Sequence, residues 1–200
     1  MRKAAEHLKK SDPVMAGIIA RVGPCRIQYR EPEFASLARA IVFQQLNGKA
    51  AARIYERVAE AVGGRMTPAA VLRTRTRKLR SAGLSAQKAG YMLDLARHTV
   101  GGKISFSRLS HMNDAEVIET LTQVKGIGEW SAQMFLLFAL RRPDVLATGD
   151  YGVRAAIRRA YQLPELPPPR LVEEMGRPWR PFASAACWYL WRFISLPAEP

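Results

Sequence analysis

The chain has 200 residues, 48% of them hydrophobic and 24% charged, a composition typical of a folded globular protein and not of a disordered tail. Lys and Arg total 31 against 17 Asp and Glu, which gives a net charge of +14 and a pI near 10.5. This excess favours a polyanionic partner, because each cation near a phosphate releases condensed counterions. A globular protein that is basic for unrelated reasons is the alternative.

The two cysteines, Cys25 and Cys187, each lie among apolar residues. Neither has neighbours at metal-ligand spacing, so we expect neither zinc nor an iron–sulfur cluster. Both thiols are expected to be buried and reduced, as in a cytoplasmic protein. The first residues, MRKAAEHLKKSDP, are charged throughout, unlike a signal peptide, and no uncharged run reaches membrane-spanning length.

Apolar residues recur at helical spacing along most of the chain, and Pro and Gly interrupt it at helix-length intervals. No segment is typical of a strand. The first helices are predicted over 2–10 and, opened by Pro13, over 13–23. A third helix is predicted over 34–45 and a fourth over 49–63.

The turn between the third and fourth helices carries an exposed leucine between two amide side chains, at Gln45, Leu46 and Asn47. Ordinary turn chemistry explains such residues. The alternative is a wedge that enters a duplex groove and fills the gap left by a displaced base. The residues themselves leave both interpretations open.

The segment 68–80 contains TRTRKLR, a strongly basic patch that is either a solvated helix face or an electrostatic contact for DNA. Ser85 is predicted to cap the next helix, whose buried side includes residues within 89–96. Asn113 and Glu116, three residues apart, are typical of a capping box that starts a further helix.

The sequence Lys125-Gly126-Ile127-Gly128 separates two apolar helical segments. Gly126 and Gly128 permit positive backbone angles and place no side chain between the backbone amides and a phosphate. The second helix begins there, so its unpaired N–H groups and positive dipole end would face the same anion. Ile127 is expected to fill the space between the helices. The pattern favours sequence-independent binding of a DNA backbone.

A polar turn follows the second of these helices and ends at Asp150, where a helix over 151–161 is predicted to begin. Taken alone, an aspartate before a helix is a capping residue. Arg154, one turn later, either pairs with Asp150 or contacts a phosphate. Further helices are predicted over 170–177 and from Pro181 onward.

Together these motifs resemble the helix-hairpin-helix (HhH-GPD) superfamily of DNA glycosylases, and within it the 3-methyladenine DNA glycosylases of alkylation repair. The resemblance covers nearly the whole chain and is carried by FxxLARAIVFQQLNGKAA, GLSAQKAGYMLDLA, LTQVKGIGEWSAQMFLLFAL, RPDVLATGDYGVR and PWRPFASAACWYLWR. It implies an all-α, two-lobed fold with the active-site cleft between the lobes. The implied bounds are one domain over 1–200, lobe one over 34–142, lobe two over 1–33 plus 143–200, and the helix-hairpin-helix over 114–140.

The resemblance also implies the site residues. The catalytic carboxylate is Asp150. The walls of the base pocket are Trp130, Met134 and Trp188, although core packing would equally explain each tryptophan. The residues that bind DNA phosphates are Lys125, Gly126, Gly128 and Ser131. The wedge is Gln45, Leu46 and Asn47. Trp179 and Trp191 are assigned to the core.

No cofactor is expected to be required. A monovalent cation, Na⁺ or K⁺, would bind at the hairpin through the main-chain carbonyls of Thr122, Val124 and Ile127. The expected partner is double-stranded DNA that carries a damaged base. The protein is expected to be a monomer in the cytoplasm, associated with the nucleoid if it is bacterial, with no membrane contact.

The implied activity is excision of alkylated purines from duplex DNA, by base flipping and hydrolysis of the N-glycosidic bond, in base excision repair. An alkylated purine such as 3-methyladenine or 7-methylguanine is cationic and already a good leaving group. The main task is then to stabilise an oxocarbenium-like sugar with a fixed carboxylate. An electron-poor base would also stack well on electron-rich aromatic rings.

Two positions depart from the family pattern. Relatives with lyase activity carry a lysine where this chain has Trp130, which implies base excision without strand cleavage. Family members usually have a proline shortly before the aspartate, whereas this turn is Leu146-Ala147-Thr148-Gly149, which predicts a less rigid turn. A non-catalytic DNA-binding module and a glycosylase for oxidised or mismatched bases stay open as alternatives.

Overall fold

The computed structural model describes residues 1–46 and 48–197. Within those ranges the chain is helical and contains no strand, which confirms the predicted all-α class. The helices are α1 (Arg2–Ser11), α2 (Pro13–Val22), α3 (Phe34–Phe43), α4 (Gly48–Ala61), α5 (Pro68–Arg73), α6 (Thr76–Ser81), α7 (Ala86–Val100), α8 (Phe106–Leu109), α9 (Asp114–Thr122), α10 (Glu129–Phe138), α11 (Tyr151–Ala160), α12 (Pro169–Gly176) and α13 (Ala183–Ile194). None of the described helices is long and apolar enough to cross a membrane.

The chain divides into two compact units. The terminal unit joins Met1–Tyr29 to Arg141–Pro200, and the central unit is Arg30–Leu140. The terminal unit therefore holds α1, α2 and α11 to α13, and the central unit holds α3 to α10. The hairpin belongs to the central unit and Asp150 to the terminal unit.

In the terminal unit, α13 is the helix with the most buried residues. Every residue from Ala183 to Leu190 is buried, and a helix that is buried all round must be covered on several sides. Helices α1, α2 and α11 pack against it. Its position matters for the site, because α13 lies beside both the turn before Asp150 and the start of α11.

Helix α2 begins at a buried aspartate. Asp12 is 8% exposed, and its Oδ1 accepts the N–H groups of Val14 and Met15 at 2.9 and 3.1 Å. Its Oδ2 accepts the indole N–H of Trp179 at 2.8 Å and the hydroxyl of Tyr161. Burial, together with the Asp12 carboxylate, raises the pKa of Tyr161, so the phenol stays protonated and donates. We call Asp12, Tyr161 and Trp179 the Asp12 cluster.

In the central unit, α7 packs against α3, α5 and α6. Ser85 caps it as predicted, since its Oγ accepts the N–H of Lys88 at 3.1 Å. The predicted capping box of α9 is also confirmed. The side chain of Asn113 accepts the N–H of Glu116 at 2.9 Å, and the Glu116 carboxylate accepts the N–H of Asn113 at 2.8 Å.

Two details differ from the sequence predictions. The last helix begins at Ala183 and not at Pro181, because Asp144 Oδ1 accepts the N–H of Ala183 at 3.2 Å and so fixes the helix start. Cys187 is buried as predicted, but Cys25 is only partly buried. Cys25 lies in an irregular connection after α2, and such segments run over the surface.

Candidate active site

Asp150 is the N-cap of α11, in the terminal unit. Its Oδ1 accepts the backbone N–H of Val153 at 2.8 Å. The same oxygen accepts the indole N–H of Trp191 at 2.7 Å. The side chain is partly exposed. Two N–H donors from different helices thus fix one carboxylate oxygen, so capping is compatible with a further role.

The turn before Asp150 is held by side chains of α13. Ser184 Oγ accepts the N–H of Val145 at 2.9 Å and donates to the carbonyl of Arg142 at 2.7 Å. The thiol of Cys187, one helical turn along α13, lies 3.7 Å from the carbonyl of Val145. The turn lacks the proline of the family pattern, but it has specific anchors on a buried helix.

The Cys187 thiol is a packing group and not a nucleophile. Complete burial raises its pKa to about 12, and the negative charge of Asp150 acts in the same direction. A protonated, buried thiol is chemically inert.

Sequence reasoning missed two residues at this site. Trp191 was assigned to the core, but it is partly exposed and contacts Asp150. Ser184 was assigned no role, although it holds the turn before Asp150. A signal was present, since Ser184, Cys187 and Trp191 follow one another at helical spacing on a largely apolar helix. The spacing shows a shared face but not which loop that face contacts.

Arg154 does not pair with Asp150. Its guanidinium donates instead to the carbonyl of Pro167 at 2.7 Å. This bond ties α11 to the proline-rich segment before α12, so of the two roles considered for Arg154 the pairing with Asp150 is wrong.

Trp188, a predicted base-pocket residue, is 7% exposed and stands edge-on to Tyr189, with ring centres 5.1 Å apart. The guanidinium of Arg192 lies 5.4 Å from the centre of its ring. Both residues line an open surface pocket of about 550 Å³. Trp188 is therefore both a packing residue and part of a pocket wall, and its contact with a flipped base stays a prediction.

The hairpin in the central unit needs glycine at position 126. Gly126 has a φ of +83°, and a Cβ there would lie 2.1 Å from the ring of Tyr91. Gly128 has a φ of −90°, so it does not use the positive backbone angles that glycine permits. Ile127 is 3% exposed and fills the hairpin as predicted.

The hairpin backbone is fixed by residues distant in sequence. Asp94 Oδ2 accepts the N–H of Lys125 at 2.9 Å, and Gln44 Nε2 donates to the carbonyl of Gly126 at 2.7 Å. The backbone amide of Lys125 is therefore bonded to the Asp94 carboxylate. The Lys125 side chain is exposed, as a phosphate contact requires. Ser131 is buried. The N-cap residue of α10, Gly128, makes no side-chain cap hydrogen bond, as is common where a helix start binds an anion.

The turn after α3 presents two of the predicted wedge residues. Gln45 has a φ of +54° and is exposed, and Leu46 is 41% exposed. Asn47 lies outside the described residues. The ammonium of Lys88 donates to two carbonyls at the end of α3, at 2.8 and 2.6 Å, and burial lowers its pKa. Gln44 thus has a structural role through its bonds with Gly126 and Lys88. Gln45 and Leu46 face outward.

The predicted pocket residues of α10 differ in exposure. Trp130 is 45% exposed, in the first turn of the helix. Met134 is partly buried and lines a cavity of about 30 Å³. A cavity of that size holds about one water molecule, far less than a purine. Trp130 is thus not a core residue, and the base contacts of both side chains stay predictions.

The carbonyls proposed for a monovalent cation lie around the hairpin. The Val124 carbonyl accepts the N–H of Ile127 at 3.0 Å, but a carbonyl has a second lone pair for a cation. The described residues contain no group of three His, Cys, Asp or Glu side chains that could hold a metal ion. The cation stays a prediction.

The chain is similar to known base excision repair proteins. The sequence profile of the HhH-GPD superfamily base excision DNA repair proteins matches residues 38–181. DNA-3-methyladenine glycosylase 1 of Schizosaccharomyces pombe is 33% identical in an alignment that covers 98% of this chain and 89% of the yeast protein.

Two solved structures share the fold over nearly the full length of this chain. The 3-methyladenine DNA glycosylase of Schizosaccharomyces pombe in complex with abasic DNA has a TM-score of 0.86 at 34% identity, and the match covers 94% of this chain and 95% of that one. The DNA-3-methyladenine glycosidase of Bacillus halodurans has a TM-score of 0.85 at 35% identity, and the match covers 96% and 89%. This chain therefore belongs to the HhH-GPD superfamily of base excision DNA repair proteins.

Proposed function

We propose that this protein is a monofunctional DNA glycosylase that removes alkylated purines, including 3-methyladenine and 7-methylguanine, from duplex DNA. The observation that carries the proposal is the Asp150 carboxylate, partly exposed and fixed through Oδ1 by Val153 and Trp191. Relatives named as DNA-3-methyladenine glycosylases support the substrate class. The net charge of +14 supports a nucleic-acid partner.

Asp150 acts on the sugar and not on the base. The bond between C1′ and the purine nitrogen breaks with its electron pair going to the base, whose positive charge is thereby neutralised. The positive charge that develops on the sugar is stabilised by the fixed carboxylate. Water then adds to C1′ and releases a proton to Asp150 or to solvent.

The central unit binds the DNA backbone in this proposal. The segment from Lys125 to Gly128 and the uncapped start of α10 bind phosphates. Gln45 and Leu46 fill the space left when the damaged nucleotide is flipped out, and Trp130 stacks on the extruded base. The protein acts as a monomer in the cytoplasm. It leaves an abasic site, because position 130 offers no amine for a lyase step.

The test is Asp150→Asn in a single-turnover excision assay on a duplex that holds one alkylated purine. The amide keeps a cap for α11 but cannot stabilise a cation, so the rate constant of base release should fall by about 100- to 1,000-fold. Affinity for a duplex with a tetrahydrofuran abasic-site analogue should change by less than about threefold. Unchanged release by Asp150→Asn would contradict the proposed role.

The alternatives predict other results in the same assay. A non-catalytic binding module would release no base even as the unchanged protein. A glycosylase for oxidised or mismatched bases would release 8-oxoguanine or mismatched bases faster than 3-methyladenine. For the monofunctional claim, borohydride should trap no covalent complex between protein and DNA.

A further inference from the structure

Trp191 lies in the last turn of α13 and contacts Asp150, which is distant in sequence. Its indole N–H donates to Asp150 Oδ1 at 2.7 Å, across 41 residues of sequence. This oxygen is the one that also accepts the cap bond from Val153. A single cap bond leaves the plane of a carboxylate free to turn about its last torsion. A donor from a different helix, such as Trp191, restricts that rotation further.

The chain leaves room for this contact at Gly152. A Cβ at that position would lie 2.9 Å from Trp191 Cδ1 and 3.1 Å from Asp150 Oδ1. Such distances force a neighbour to move, so glycine in the first turn of α11 is what lets the indole reach the carboxylate. Gly152 leaves the space and Trp191 supplies the donor for the hydrogen bond to Asp150.

We propose that Trp191 is a positioning residue for base excision, which orients the Asp150 carboxylate toward the sugar through its indole N–H. This proposal rests on the proposed catalytic role of Asp150. Electrostatic stabilisation is effective when the charged group is fixed before the transition state forms, because no free energy is then spent on reorienting that group. Trp191 supplies that fixed geometry without touching the substrate.

The chain contains a matched control. Trp179 also donates its indole N–H to the N-cap aspartate of a helix, Asp12, at 2.8 Å. Trp191→Phe and Trp179→Phe therefore remove the same donor atom and keep a large ring. Only the first change alters the carboxylate assigned to catalysis.

The first readout is the single-turnover rate constant for release of an alkylated purine. Trp191→Phe should lower it by about tenfold or more, as expected when one fixed donor at a charge-stabilising site is lost. Trp179→Phe should leave the rate constant of the folded fraction within about twofold of the unchanged protein, since Asp12 is structural.

The second readout needs no turnover. It is the ratio of Kd values for two duplexes, one with a neutral tetrahydrofuran abasic-site analogue and one with a cationic pyrrolidine analogue. The ratio is the Kd of the tetrahydrofuran duplex divided by the Kd of the pyrrolidine duplex. The pyrrolidine mimics the charge of the sugar in the transition state, so a well-placed carboxylate tightens its binding and raises the ratio. Asp150→Asn should bring the ratio close to one, Trp191→Phe should lower it about fivefold or more, and Trp179→Phe should not change it.

A double-mutant cycle separates positioning from general packing. If Trp191 acts through Asp150, then Trp191→Phe should have no further effect on the ratio in an Asp150→Asn background. An equal loss in both backgrounds would overturn the proposal. So would a Trp191→Phe protein whose rate constant and ratio both match those of the unchanged protein.

Gly152→Ala tests the same hydrogen bond should Trp191→Phe fail to fold. Alanine is the better helix former, but its Cβ displaces the indole or the carboxylate. Rate constant and ratio should both fall, and unchanged values would overturn the proposal. Different results would refute the proposed glycosylase function and the proposed role of Trp191. Full excision by Asp150→Asn refutes the function, whereas slowed excision by Asp150→Asn with unimpaired Trp191→Phe refutes only the role of Trp191.

Discussion

Two aspartates of this chain have the same local role and differ in exposure. Asp12 and Asp150 each cap a ten-residue helix, and each accepts an indole N–H. Asp12 is 8% exposed and receives four donors on its two oxygens. Asp150 is partly exposed, and two of its donors share one oxygen. A capping motif therefore does not separate a structural carboxylate from a candidate catalytic one.

What separates them is the exposure of the carboxylate. A buried charge is tolerated only when its partners replace the lost hydration. The Asp12 cluster meets that condition within the protein. At Asp150 the geometry is fixed but exposure is retained, which suits a group that must act on something outside the protein. Three experiments test this account of the two aspartates and their surroundings.

The largest expected effect is the loss of stability in Asp12→Ala. The change removes the acceptor of the partly buried Tyr161 hydroxyl and of the buried Trp179 N–H, and it removes the cap of α2. We expect the free energy of unfolding to fall by about 3–5 kcal/mol in urea. The matched control, Asp150→Ala, removes a partly exposed cap and should lose only about 1 kcal/mol. Equal losses at the two positions would contradict the comparison.

An intermediate effect is expected for Ser184→Ala. Its buried hydroxyl holds both the N–H of Val145 and the carbonyl of Arg142 in the turn before Asp150. Removing it should lower the free energy of unfolding by about 1–3 kcal/mol. The excision rate constant should also fall, because the turn no longer places the carboxylate firmly. Lost stability with an unchanged rate constant would show that this anchor does not matter for catalysis.

The smallest effect concerns alkaline pH. Burial raises the pKa of Tyr161 and, to about 12, that of Cys187, above the unfolded values of 10.0 and 9.0. A group whose pKa is raised on folding contributes stability below its unfolded pKa and loses it as pH rises. Stability should therefore fall from about pH 9 upward. Tyr161→Phe and Cys187→Ala should each flatten that decline in urea titrations from pH 7 to 11, and unchanged slopes would contradict these assignments.

Local structure was largely predictable from the sequence. The Ser85 cap, the capping box of Asn113 and Glu116 and the burial of Ile127 follow from short-range spacing, and the structure has each of them. The family resemblance supplied Asp150, which spacing alone would assign to an ordinary cap.

The contacts that fix the site were not predictable in the same way. Trp191 reaches Asp150 across 41 residues, and Gln44 reaches Gly126 across 82. Such contacts depend on which loop a helix face covers, and helical spacing does not contain that information. The Tyr91 ring that excludes a side chain at Gly126 is a further example.

The most direct measurement is a crossed comparison of Asp150→Asn and Asp12→Asn, each assayed for 3-methyladenine release and for urea unfolding. Asp150→Asn should lower the rate constant of release by about 100- to 1,000-fold while changing the free energy of unfolding by less than about 1 kcal/mol. Asp12→Asn should lower that free energy by about 2 kcal/mol or more and leave release by the folded fraction unchanged. Release that is unchanged in Asp150→Asn, or that is slowed equally in both variants, would contradict the assignment of catalysis to Asp150.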